Sequence, residues 1–294
     1  MEPAPPSSPF FTPLRYPGGK GKLAEYIKSI IETNSLEDGY YAEPYAGGAA
    51  VALELLFHEF VTHIYINDVS ASVGAFWRSV LDDTDRLCAR IADTKVTIDE
   101  WHRQREIQDR LAEQPDLELG FSTFFLNRTN RSGILKAGVI GGKKQEGEWK
   151  LDARYNVSEL IRRIQAIANQ KRRISFSQLD AVDFLRDIAS KMPKRSLVYL
   201  DPPYFVKGRD LYHHHYTQED HELIARLIPR QLAKQKWIVS YDDVSEVRDL
   251  YSSSRSISYR LSYSAHTRYQ GGEVMFFCDS LQIPPPCAPM RTAA

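Results

Sequence analysis

Asp201-Pro202-Pro203-Tyr204 puts a carboxylate, two stiff rings and an aromatic face into four consecutive residues. Pro203 holds Pro202 extended, so the Asp201 carboxylate and the Pro202 carbonyl point in fixed directions. Two fixed acceptors beside an aromatic ring suit a planar substrate bearing an NH2 group. Glu43-Pro44-Tyr45-Ala46-Gly47-Gly48-Ala49 forms a second constellation, a turn whose glycines let the backbone approach a cofactor closely. Asn67-Asp68 follows about 20 residues on, where an acid accepts hydrogen bonds from ribose hydroxyls. A third constellation is Arg15-Tyr16-Pro17-Gly18-Gly19-Lys20, an aromatic and a lysine around two glycines. It lacks the first glycine of a phosphate-binding P-loop and the Ser/Thr after its lysine, which excludes an NTPase of that type.

Other chemistry-bearing residues carry less. The run Phe125 to Gly133 contains Arg128, Asn130 and Arg131, side-chain types that read guanine and adenine edges, and so reads as a DNA-facing segment. Lys136, Lys143 and Lys144 extend the same footprint. His213-His214-His215 has no carboxylate or cysteine cluster beside it. Adjacent side chains on an extended segment point to opposite faces, so it is read as a loop over the active site and no metal site is expected. Ser240 has no nucleophile elbow around it, which leaves hydrolase chemistry unsupported.

Short strands alternating with helices must position these groups. Leu23, Ile27, Ile30 and Ile31 follow helical spacing from near Gly21, and a strand at 40–42 runs into the glycine turn and a helix at 49–57. A strand at 61–66 delivers Asn67-Asp68 and a helix that runs through Val80. Further strands are expected at 174–177, 196–200 and 237–241, helices at 181–191 and 218–234, and an antiparallel pair at 256–263 and 272–278. Thr217 with Asp220 resembles a capping box. The pattern predicts an α/β fold with a doubly wound, mostly parallel sheet, in which ligands bind beyond the carboxyl ends of the strands. Between residues 82 and 173 the rhythm breaks, first into an acidic helical stretch and then into an aromatic, basic stretch with six glycines. This is read as an inserted subdomain, with residues 14–81 and 174–279 forming the catalytic domain and residues 1–13 and 280–294 as disordered tails.

The 294 residues balance 38 Lys+Arg against 38 Asp+Glu, with 43% hydrophobic and 26% charged residues. Such a composition excludes a disordered chain, a collagen-like chain and a disulfide-stapled scaffold. The three cysteines lack CxxC spacing, and no apolar run approaches membrane-spanning length. A soluble, cytoplasmic protein is expected. The zero net charge is unevenly distributed: residues 127–173 hold twelve Lys/Arg against four acids, a footprint for a polyanion.

Taken in order, these motifs resemble the Dam-like family of DNA adenine-N6 methyltransferases. The likeness runs from about Leu14 to Phe277, with Tyr16 in place of the usual tryptophan and Ala49 in place of a glycine. It implies a Rossmann-like catalytic domain with an inserted, largely helical target-recognition region, and S-adenosylmethionine as methyl donor. The implied cofactor set is Tyr16, Gly19, Lys20, Glu43, Pro44, Tyr45, Gly47, Gly48, Asp68, Asp180 and Asp201. The implied catalytic set is Asp201, Pro202, Pro203 and Tyr204, acting on N6 of a flipped-out adenine in duplex DNA. A cognate restriction endonuclease is a candidate partner, and a monomer is favoured. The alternatives are an RNA adenine-N6 methyltransferase and a catalytically inactive DNA-binding protein on the same scaffold.

Overall fold

A computed structural model describes residues 11–15, 20–205, 216–260, 272–288 and 290–292. After a 3-10 turn over Lys20–Leu23 come α1 (Ala24–Thr33), β1 (Gly39–Glu43), α2 (Ala50–Phe57) and β2 (Val61–Asn67). Five helices follow: α3 (Ala71–Asp82), α4 (Thr84–Asp93), α5 (Ile98–Asp109), α6 (Asp116–Thr129) and α7 (Val157–Asn169). The chain then runs through β3 (Ile174–Ser177), α8 (Ala181–Lys191), β4 (Ser196–Leu200), α9 (Gln218–Gln231) and β5 (Lys236–Asp242). It ends with α10 (Ser245–Leu250), β6 (Arg255–Arg260), β7 (Glu273–Phe277) and β8 (Arg291–Thr292). The expected Thr217–Asp220 capping box is present at the start of α9, where each side chain satisfies the other's backbone N–H.

Two compact units result, one of residues 20–68 with 179–294, the other of residues 1–19 with 69–178. In the first, strands run in the order β2-β1-β4-β5-β7-β6-β8. β1 pairs parallel with both β2 and β4, and β4 pairs parallel with β5. The remaining pairs, β5–β7, β6–β7 and β6–β8, are antiparallel. Five of these seven strands therefore run in one direction, with β7 and β8 opposed, which is the mostly parallel, Rossmann-like α/β sheet expected. The central strands β4 and β7 are buried at every residue, and after their first residues, Ser196 and Glu273, they read as continuous rather than alternating runs. Because β1 is flanked by β2 and β4, the strand order reverses beside it, and in open α/β sheets ligands bind at the carboxyl ends of the strands at such a reversal.

Residues 280–292, expected to be a disordered tail, are instead attached to this unit where described. Asn34 Nδ2 donates to the Gln282 carbonyl at 2.8 Å and Asn34 Oδ1 accepts from Gln282 N at 2.7 Å. Tyr26 Oη donates to the Pro284 carbonyl, and Leu281 and Met290 are buried. Prolines suppress regular structure, yet buried side chains and satisfied carbonyls hold the segment.

The second unit is helical around an aromatic core. Phe76 stacks on Phe124 at 6.4 Å, and Tyr155 meets Phe124 and Phe125 edge-on at 5.5 Å. Helices α3 and α6 approach so closely that a Cβ on Gly120 would sit 2.6 Å from the Ala75 carbonyl. Since α3 packs here, the division falls after Asp68, ahead of the expected boundary at 82.

Candidate active site

The carboxyl ends of β1, β2 and β4 lie level, with Glu43 opposite Ile66 and Ala42 opposite Val198. That register sets the glycine turn, Asp68 and Asp201 along one edge of the first unit. Ala46 N bonds the Asn67 carbonyl at 2.8 Å, and Asn67 Nδ2 returns a bond to the Pro44 carbonyl at 2.9 Å. Gly47 N donates to Asp68 Oδ2 at 3.0 Å. Gly47 and Ala49 take φ of +47° and +49°. At Ala49, the N-cap of α2, an L side chain costs about 1 kcal/mol of strain, so tertiary packing holds the turn in shape. Tyr45 Oη shares a hydrogen bond with Tyr216 Oη at 2.8 Å. Asp180 caps α8, its Oδ1 accepting from Val182 N.

Beneath the turn, Glu43 is buried, and its Oε1 accepts from Tyr41 Oη and Ala52 N at 3.0 Å each. Burial pushes its carboxyl up to about 8, against those two hydrogen bonds.

Around Asp201 lies a connected cluster. Ser240 Oγ, from β5, donates to Asp201 Oδ1 at 2.6 Å and shares a hydrogen bond with Tyr199 Oη at 2.7 Å. Lys20 Nζ stands 3.4 Å from Asp201 Oδ1 and 2.7 Å from Glu273 Oε2. Tyr204 Oη accepts from Lys20 Nζ at 3.1 Å and donates to Glu273 Oε1 at 3.0 Å. The Lys20 ammonium also faces the Tyr204 ring, 5.2 Å from its centroid. Phe205 N bonds Asp242 Oδ1 at 3.0 Å, which fixes the far end of the Asp-Pro-Pro-Tyr loop. Burial raises the Asp201 carboxyl above its usual range while Lys20 and Ser240 pull it down. Burial would lower Lys20, but Asp201, Tyr204 and Glu273 together raise it well above normal.

A family model for D12 class N6 adenine-specific DNA methyltransferases matches residues 16–266. The chain belongs to that class. No curated protein matches the sequence. Among solved structures, protein LPL1258 from Legionella pneumophila is similar at 12% identity over 92% of this chain and 89% of its own, with a TM-score of 0.34.

In this D12-class methyltransferase, Lys20, Glu43, Asp68, Asp201 and Tyr204 all fall on the unit of residues 20–68 with 179–294. Tyr16, Gly19 and His213-His214-His215 lie outside the described residues. The DNA-facing reading of Arg128 and Asn130 is corrected. Arg128 is buried and its Nε donates to the Pro13 carbonyl at 2.7 Å. Asn130 is fully buried, its Oδ1 accepting from Trp101 Nε1 at 2.6 Å and its Nδ2 donating to the Ile134 and Leu135 carbonyls. Both lie at the end of α6, whose last eleven residues are all buried. Arg131, Lys136, Lys143 and Lys144 are exposed, with Trp149 nearby in sequence at 62% exposure.

The sequence alone pointed to no role for Glu273 or Tyr199, and Ser240 was weighed there only as a hydrolase nucleophile. The one available signal was Glu273 itself, an acid opening the apolar run Val274–Phe277.

Proposed function

We propose that this chain transfers a methyl group from S-adenosylmethionine to N6 of an adenine flipped out of duplex DNA. The supporting observation is the Asp201 cluster: a rigid acceptor at a strand end, reachable from solvent at 23% side-chain exposure, inside a frame of fixed partners. The donor set present suits the cofactor. The turn at 47–48 carries no side chains, Asp68 offers a carboxylate for ribose hydroxyls, and the Asp201–Glu273 pair offers negative charge to a cation. When bound, the cofactor supplies an electrophilic methyl on a positively charged sulfur.

The chain's own residues do the rest. An adenine amine is a poor nucleophile because its lone pair is delocalised into the ring. Hydrogen bonds from that NH2 to the Asp201 carboxylate and the Pro202 carbonyl localise the pair. Positive charge grows on N6 during transfer, so a preorganised carboxylate stabilises the transition state more than the ground state. Flipping the base costs a few kcal/mol of stacking and pairing. Tyr204 offsets part of that cost as a stacking face, held in orientation through its hydroxyl. Ser240 and Tyr199 keep Asp201 Oδ1 aimed.

A radiolabelled methyl-transfer assay with duplex DNA, duplex RNA and no nucleic acid tests the reading. Label should enter duplex DNA alone, as N6-methyladenine, and Asp201→Ala should lower turnover by at least 100-fold while DNA binding survives. Label in RNA only, or substantial turnover by Asp201→Ala, defeats it.

A further inference from the structure

Two carboxylates, the half-buried Asp201 and the buried Glu273, share one ammonium, Lys20. Glu273 is the more enclosed, with 5% of its side chain exposed against 10% for Lys20 and 23% for Asp201. It opens β7, and its cross-strand partners are Asp242 on β5 and Tyr259 on β6. An ion at such a place carries a desolvation cost, and well-packed apolar replacements of buried ion pairs are often neutral or stabilising. Glu273 therefore calls for an explanation other than stability. Its two oxygens divide between two groups of the site: Oε2 takes Lys20 Nζ at 2.7 Å, and Oε1 takes Tyr204 Oη at 3.0 Å.

We propose that Glu273 is a positioning residue of the transfer reaction, holding Lys20 and Tyr204 so that the lysine does not close on Asp201. The inference rests on the function proposed above. Without the Glu273 charge, the nearest anion to Lys20 is Asp201, now 3.4 Å away. Closure would occupy the carboxylate oxygens that the substrate amine needs, and would release the Tyr204 hydroxyl from its anchor. With Glu273 in place, Lys20 is held at 2.7 Å on one side, and Asp201 keeps only the longer 3.4 Å contact on the other. Glu273 also leaves the pair of acids one negative charge in excess of the lysine, which complements a cationic donor more than the neutral thioether left after transfer.

The charge of Glu273 also acts on Asp201 from a distance. Asp201 is faced by Lys20, by Glu273 on β7, by Tyr199 on β4, and by Glu43 and Tyr41 on β1. Of these, Glu273 raises its carboxyl by repulsion and Lys20 lowers it. Neutralising Glu273 removes the repulsion and draws the lysine closer, so both changes move Asp201 downward.

Glu273→Gln tests this, because glutamine keeps the shape and an acceptor but not the charge. The expected result is a fall in kcat of tenfold or more, with KM for DNA within twofold of the parent. In 13C carboxyl NMR of the full chain, the Asp201 titration should move to lower pH. Glu273→Asp retains the charge and should restore the Asp201 titration, so a folding defect in one variant does not decide the matter. An unmoved Asp201 titration in folded Glu273→Gln, or an unchanged kcat, overturns the proposal. The NMR titration needs no turnover: a parent protein that methylates no DNA would defeat the proposed function, and the titration would still judge Glu273.

Discussion

Glu43 shows how a single residue couples the turn to solution conditions. In an unfolded chain its carboxyl titrates near 4.3, and burial raises it to about 8 in the fold. Between those values the folded state keeps a proton that the unfolded state has lost. Stability from this group is fully present below the unfolded value and is lost as pH rises through the folded one, at up to about 1.4 kcal/mol per pH unit. Glu43→Gln keeps an oxygen that accepts from Tyr41 and Ala52 but has no proton to lose. Urea unfolding at pH 5, 6, 7 and 8 should show the parent losing stability relative to Glu43→Gln as pH rises. Parallel pH dependences would mean that the carboxyl is not held neutral by the fold.

At the scale of elements, side chains expected at a nucleic-acid surface turn out to fasten a strap. Arg128 Nε holds the Pro13 carbonyl, and Arg163 Nη1 holds the Thr12 carbonyl at 2.9 Å. Asn127 pairs with the Arg15 backbone twice, accepting from its N and donating to its carbonyl at 2.7 Å each. Helices α6 and α7 thus satisfy a segment that has no secondary structure of its own. Replacing Arg128 by Met strands a buried carbonyl and should cost about 1–3 kcal/mol in unfolding free energy. The slope of DNA affinity against salt should not change, because the guanidinium is buried away from any phosphate. A flatter slope in a variant of undiminished stability would return Arg128 to the DNA surface.

For the molecule as a whole, zero net charge coexists with an exposed basic group on the helical unit. Arg131, Lys136, Lys143 and Lys144 all face solvent. If they neutralise phosphates, each releases counterions, and log affinity falls with log salt by about 0.9 per contact. Changing all four to glutamine should flatten that slope by up to about 4 in fluorescence anisotropy titrations across 50–200 mM salt. The fall in affinity should be similar for all sequences, as backbone contacts carry no base information. An unaltered slope would leave these residues as ordinary solvated surface.

Local pattern determined much of this protein. Strand runs such as Leu197–Leu200 and the helix at 181–191 stand where periodicity placed them, because burial on both faces or one demands a continuous or periodic apolar pattern. The order of motifs was enough to indicate the Dam-like adenine-N6 methyltransferases and to bring forward Lys20, Asp68, Asp201 and Tyr204. Tertiary structure decided what depends on partners distant in sequence. Arg128 and Asn130 have the residue types of a DNA reader, and only the burial of α6 shows that their hydrogen bonds are spent internally. Prolines after Asp279 read as disorder until Asn34 and Tyr26, some 250 residues away, supply their partners. Glu273 and Ser240 carry no motif; they join Lys20 and Asp201 because strand pairing sets β5 and β7 beside β4. A side chain's type fixes which bonds it can make, but the fold alone selects which of them it makes.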